Sequence, residues 1–96
     1  MTAYVIVYQE SEIRDPDSYA EYQKMTREAR GDFDLTPLAV YGKTEALEGH
    51  APEGVIVLKF PSVAEAKAWY NSPAYQAALP KRLQAADYRT IIVEGL

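Results

Sequence analysis

The sequence predicts an α+β domain of ferredoxin-like type. Its elements follow the order β-α-β-β-α-β, forming a four-stranded antiparallel sheet with helices on one face, and the helix-free faces of two copies pair. Three observations lead there. Four runs rich in β-branched and aromatic residues (3–9, 37–47, 54–60 and 88–94) are interleaved with two segments of helical periodicity. Each helical segment links two strands, and right-handed crossovers of that kind produce the split βαβ arrangement, whereas a β-grasp fold needs only one main helix. Finally, the strands are apolar on both faces, so the face without helices requires a cover.

Residues 3–9, "AYVIVYQ", form the first strand. Asp15-Pro16-Asp17 opens a helix: Asp15 can accept from orphan amides as N-cap, Pro16 suits the first helical position, and Asp17 complements the dipole. Tyr19, Tyr22, Thr26, Ala29 and Phe33 recur at spacings of three and four, giving one apolar stripe, and the helix is expected to end near Gly31. A second strand is predicted over 37–47, bulged at Gly42, and a third over 54–60. Ser62-Val63-Ala64-Glu65 is a capping-box pattern that starts the next helix, which carries Val63, Ala66, Trp69 and Tyr70 inward. Asn71-Ser72-Pro73 stops that helix and restarts another with Ser72 as cap. Tyr75, Leu79 and Leu83 continue its stripe, and Pro80 is expected to kink or shorten it. Residues 88–94 close the sheet.

Along the first strand Ala3, Val5 and Val7 alternate with Tyr4, Ile6 and Tyr8, and both sets are apolar. The third and fourth strands behave alike. A helix-free face of this composition exceeds what soluble monomers expose, and a second copy placed face to face across a two-fold axis covers it. Hiding ~500 Å² per chain is worth ~12 kcal/mol before association costs. The expected dimer interface is Tyr4, Ile6, Tyr8, Ile56 and Leu58.

Ninety-six residues make one domain, 1–96. The net charge of −4, with basic residues scattered and no run longer than Lys81-Arg82, argues against nucleic acid and anionic membrane surfaces. The absence of cysteine removes disulfides and thiolate chemistry and suits a cytoplasmic protein. No stretch approaches the ~20 apolar residues of a membrane span.

Several pieces, "AYVIV", "DPDSYAEY", "LEG", "FPSVAEAKAWYNSPAYQ" and "AADYRTIIVEG", together resemble domain-of-unknown-function family 1330 of the dimeric α/β-barrel superfamily. The resemblance covers nearly the whole chain and is densest from Val57 to Gln76. It implies a ferredoxin-like subunit that dimerises, with any ligand held in a cleft between sheet and helices. The wider superfamily includes cofactor-free monooxygenases, muconolactone isomerases and haem-binding chlorite dismutases. The chain departs from the family pattern at three places: Gly31-Asp32-Phe33-Asp34 stands where a paired glycine is usual, Val40-Tyr41-Gly42 where an Arg-Gly-Gly is usual, and Pro80 falls inside the final helical segment.

Catalytic residues are scarce. His50, the one histidine, lies in a turn-rich loop and is expected to be exposed; a lone histidine also argues against haem or zinc. Glu45 and Glu48 are expected to be solvated charges. Neither metal nor cofactor is expected. Tyrosine stands out, with eight in the chain. Its apolar body and polar tip suit a damp pocket. Tyr19, Tyr22, Tyr41, Trp69 and Tyr70 are the candidate pocket residues, with Arg82 or Arg89 orienting an anion. The expected function is binding of a small aromatic or quinone-like molecule, with cofactor-free oxygenation or isomerisation as the chemistry. The alternative is a non-catalytic module whose apolar face serves dimerisation alone.

Overall fold

The computed structural model describes residues 1–96. In chain order it contains β1 (Ala3–Gln9), α1 (Pro16–Ala29), β2 (Thr36–Val40), β3 (Gly54–Phe60), α2 (Val63–Tyr70), α3 (Pro73–Ala85) and β4 (Tyr88–Glu94). The strands lie in the order β2-β3-β1-β4 with every neighbour antiparallel. This is the ferredoxin-like sheet, with both crossovers passing over one face.

Helix starts follow from capping chemistry. Asp15 accepts from the amide and hydroxyl of Ser18, and those bonds hold its carboxyl below the ordinary carboxylate value. Ser62 accepts from the amide of Glu65, and Ser72 from that of Tyr75. The break at Asn71-Ser72 divides the second helical segment into α2 and α3.

Register decides which residues share a face. β1 pairs Val5 with Leu58 and Val7 with Ile56, while β4 brings Ile92 and Thr90 beside the same two valines. These side chains face the helices, and the core cluster joins Val5, Val7 and Phe60 to Tyr22, Ala66, Trp69, Tyr75 and Ala78. The opposite face carries Tyr4, Ile6 and Tyr8 from β1, Val55 and Val57 from β3, and Ile91 and Val93 from β4. No helix covers it, and Ile91 and Val93 are 40% and 43% exposed. Two layers give a slab of 32 × 32 × 16 Å. Its accessible surface of 6185 Å² exceeds the roughly 5,500 Å² usual for a monomer of this mass.

Four expectations are corrected. Ile56 and Leu58 do not belong with Tyr4, Ile6 and Tyr8: the side-chain period of two puts them on the helix side, and Val55 and Val57 take their place on the open face. β2 ends at Val40 rather than 47, because Tyr41 turns the chain with φ 53°, and the bulge falls between Pro37 and Ala39 rather than at Gly42. Pro80 does not shorten α3, which continues to Ala85; Pro80 lies on the exposed side, where the backbone hydrogen bond it removes is least costly. The buried stripe of α3 is Tyr75, Ala78, Arg82 and Ala85; Leu79 is partly buried against the core as expected, but Leu83 is 51% exposed and Arg82, 4% exposed, lies inside in its place.

Candidate functional site

α1 leans on α3 rather than on the sheet. That tilt leaves a gap between α1 and the β2–β3 edge, a cavity of about 330 Å³. Its sheet wall is aliphatic: Val7, Ile56 and Leu58 with Pro37 and Val40 from the edge strand. Tyr19 and Tyr22 come from the inner stripe of α1, and Trp69 of α2 lines the cavity beside them. The polar rim is supplied by Gln23, Thr26 and Arg27 of α1 and by Arg30 at its C-cap. Arg30 is tied to the carbonyl of Leu35.

Tyr41 also lines the cavity, and its position depends on Gly54. A Cβ at residue 54 would lie 2.5 Å from Cδ1 of Tyr41, so the ring rests on bare backbone. The Tyr41 hydroxyl is 3.2 Å from that of Tyr88, and its ring meets Tyr19 edge-on at 6.2 Å. Gly54→Ala is therefore expected to push the Tyr41 ring away and cost about 1–3 kcal/mol. Thermal unfolding would measure the cost, and an unchanged melting temperature would contradict the contact.

A second hydroxyl cluster stands beside the cavity. The hydroxyls of Tyr22 and Tyr75 are 3.0 Å apart, and Nη1 of Arg82 donates to Tyr75 Oη at 3.2 Å. Burial is the leading reason that Tyr41, Tyr75 and Tyr88 all resist ionisation beyond the ordinary value of 10.0. Neighbouring tyrosines add to this at Tyr41 and Tyr75; at Tyr88 the hydrogen bond with Tyr41 pulls the other way, as Arg82 does at both Tyr75 and Tyr88. A raised folded-state value stabilises fully below pH 10, and the gain is lost as pH climbs beyond it, because the unfolded chain releases these protons first. Alkaline titration followed by tyrosinate absorbance is expected to show a lag and then cooperative release on unfolding. A smooth titration of all eight tyrosines around pH 10 would contradict this.

The structure brings Tyr19, Tyr22, Tyr41 and Trp69 around one cavity. Tyr70 is not among them: it packs on Trp69 and Tyr75, with ring centroids 6.4 and 5.3 Å away, at the corner between α2 and α3. Arg89 lies on the other face of the sheet, stacked on Tyr8 at 4.4 Å and paired with Glu10 at 2.9 Å. His50, Glu45 and Glu48 are exposed in the loop after β2. No group of three or more His, Cys, Asp or Glu side chains comes together, and no helix is long and apolar enough to cross a membrane. Sequence reasoning missed the rim residues Gln23, Arg27 and Arg30. Gln23 and Arg27 lie between the buried positions of α1 and Arg30 at its C-cap, and only the tilt of that helix turns them towards a cavity.

Residues 2–96 match the family described as domain of unknown function DUF1330. No curated protein is significantly similar. Among solved structures, a protein of unknown function from Rhodopseudomonas palustris superposes with TM-score 0.73 at 21% identity, covering 99% of this chain and 82% of that one. A dimeric ferredoxin-like protein of unknown function from Thermobifida fusca gives 0.64 at 13%, covering 97% and 90%. A protein from Nitrosomonas europaea, provisionally described as an antibiotic biosynthesis monooxygenase, gives 0.68 at 13%, covering 99% and 90%. At these identities the likeness is one of fold.

Proposed function

The chain belongs to the DUF1330 family, whose description assigns no activity, and we propose that it binds a small, flat organic molecule, aromatic or quinone-like, between α1 and the β2–β3 edge. The cavity carries this reading. Its volume of about 330 Å³ lies within the range of small-molecule sites, and its walls are aromatic and aliphatic with a few polar groups at the rim. In a module built only for association, Phe60, Trp69 and leucine side chains would fill that space. Here Phe60 packs on Trp69 at 5.4 Å and the space beside them stays open. The indole N–H of Trp69 is buried without a partner, an unmet donor in a residue that lines the cavity.

The working unit in this reading is a homodimer joined through the helix-free face. The apolar strand residues there support it, as does the dimeric state described for the Thermobifida fusca protein. Likeness to the Nitrosomonas europaea protein supports oxygenation of an activated substrate as the reaction type. Such chemistry asks the protein for positioning and exclusion of water.

The test is native mass spectrometry of freshly purified protein for a retained small molecule, together with Trp69 fluorescence against a panel of aromatic acids and quinones. Quenching by part of the panel is expected. Ile56→Trp, which fills the cavity from its floor, is expected to abolish that quenching while leaving the dimer intact. A flat response from the wild type, with no retained molecule, would overturn the reading.

A further inference from the structure

Arg82 is the least expected residue in the molecule. It is 4% exposed, yet no carboxylate pairs with it; the ion pairs of the structure are Arg14–Asp87 and Arg89–Glu10, both elsewhere. Burying a cation without an anion is costly unless its surroundings compensate. Part of the compensation comes from ring faces, with the guanidinium carbon 5.0 Å from the centroid of Tyr88 and 5.9 Å from that of Tyr22. One hydrogen bond runs from Nη1 to Tyr75 Oη, and Nε is buried with no partner.

The direction of the hydroxyl chain follows from donor counting. A guanidinium has donors and no acceptor, so Tyr75 accepts from Arg82. Tyr75 is 1% exposed, and its own hydroxyl hydrogen needs an acceptor; Tyr22 Oη lies 3.0 Å away. Were Tyr22 instead to donate to Tyr75, the Tyr75 hydrogen would be buried with nothing to bond, the expensive arrangement. Tyr75 therefore donates to Tyr22. Tyr75 is the sole protein partner of Tyr22 Oη, so the Tyr22 hydrogen remains for an acceptor of another kind. Tyr22 lines the cavity.

We propose that Arg82, Tyr75 and Tyr22 form a one-way hydrogen-bond relay that presents Tyr22 Oη as a charge-assisted donor to an oxygen of the cavity's occupant. The occupant is accordingly an oxygenated aromatic, held through an anionic or strongly polarised oxygen such as a phenolate or enolate. This rests on the cavity being a small-molecule site. Each link polarises the next, so a cation that never reaches the ligand still strengthens the final bond. Arg82 is thus a positioning residue that acts through two hydroxyls. Because a guanidinium offers donors and no acceptor, Arg82 fixes the sense of the relay.

The probe is 4-nitrophenol, whose visible band reports its ionisation, set beside nitrobenzene, which lacks the hydroxyl. Both are titrated into the protein and followed by Trp69 quenching. The bound phenol is expected to ionise at least about one pH unit lower than in water, which is a tenfold or greater preference for the phenolate. Nitrobenzene is expected to bind at least about tenfold more weakly. Tyr22→Phe should remove most of both differences and leave nitrobenzene unchanged. Arg27 and Arg30 remain in that variant, so a shift that survives there is rim electrostatics and overturns the relay. Tyr75→Phe keeps Tyr22 and cuts the middle link; loss of the ionisation shift is again expected, an effect that a purely structural hydroxyl would not have. The two variants test separate links, so a folding defect in one leaves the other decisive. Equal binding of both probes, or an unshifted phenol, overturns the relay with the cavity reading intact. No binding by either probe or by the aromatic panel overturns both.

Discussion

Tyr75→Ala is expected to lower the unfolding free energy by about 3–5 kcal/mol, a large share of the 5–15 kcal/mol that natural domains possess. Tyr75 is 1% exposed, and its ring centroid lies 4.3 Å from that of Trp69, 5.3 Å from Tyr70 and 6.3 Å from Tyr22. Truncation opens a hole where α1, α2 and α3 converge. It also takes from Arg82 the only hydrogen bond that buried guanidinium makes. Tyr75→Phe separates the two losses, because it fills the hole and removes only the hydroxyl, at a cost of about 1–3 kcal/mol. Urea unfolding followed by Trp69 fluorescence gives both numbers. An alanine variant as stable as the phenylalanine variant would mean that the corner can collapse around the missing ring, against the packing described.

Val57→Asp and Ile56→Asp, adjacent in sequence, are expected to fail in different ways. Val57 faces the open side of the sheet opposite Ile6, whereas Ile56 faces the helices opposite Val7 and lines the cavity. In a two-fold dimer built on the open face, a charge at Val57 is brought towards its own copy. Like-charge juxtaposition costs several kcal/mol, so the dimer dissociation constant should rise by roughly 100-fold or more, with each subunit still folded. The charge at Ile56 instead enters an apolar wall: it is expected to lower the melting temperature and to suppress ligand quenching, leaving residual folded protein dimeric. Sedimentation velocity with circular dichroism distinguishes the two. If Val57→Asp remains dimeric and Ile56→Asp becomes monomeric, the association surface is not the helix-free face.

This pair of neighbours also shows where sequence reading ran out. "GVIVLKF" is apolar on both sides of the strand, and its composition alone assigns neither side to the helices. In β1, by contrast, the assignment of Tyr4, Ile6 and Tyr8 to the open side agrees with the observed burial. The register then carries β3 with it, and places Val55 and Val57, rather than Ile56 and Leu58, beside those residues. The strand after α1 was read too long for a related reason. Residues 41–47 have strand-like composition, but Tyr41 takes a left-handed turn to lay its ring on Gly54, a contact between residues 13 positions apart.

Local signals were legible because their physics is local. Asp15-Pro16, Ser62 through Glu65 and Ser72-Pro73 place three helix starts through hydrogen bonds spanning three residues, and the structure has each of them. Four of the five aromatics singled out for a pocket line one cavity: Tyr19, Tyr22 and Trp69 follow from the periodicity of α1 and α2, whereas Tyr41 is placed by its contact with Gly54. Arg82 was not legible as a buried residue. Its charge and its neighbour Leu83 point to the opposite orientation of α3, and only the assembled rings of Tyr22, Tyr75 and Tyr88 make a place for a guanidinium inside.

By itself the sequence determined the order of elements, the caps that begin the helices, the ferredoxin-like class and the surplus of apolar strand residues that points to a partner. Each depends on propensity or pattern within a few residues. The tertiary structure alone decided which strand face meets the helices, that α1 tilts away from the sheet to leave a cavity, and that a cation is buried beside it. Those depend on register and on packing between segments distant in sequence, where small offsets in one element redirect every side chain of its neighbour.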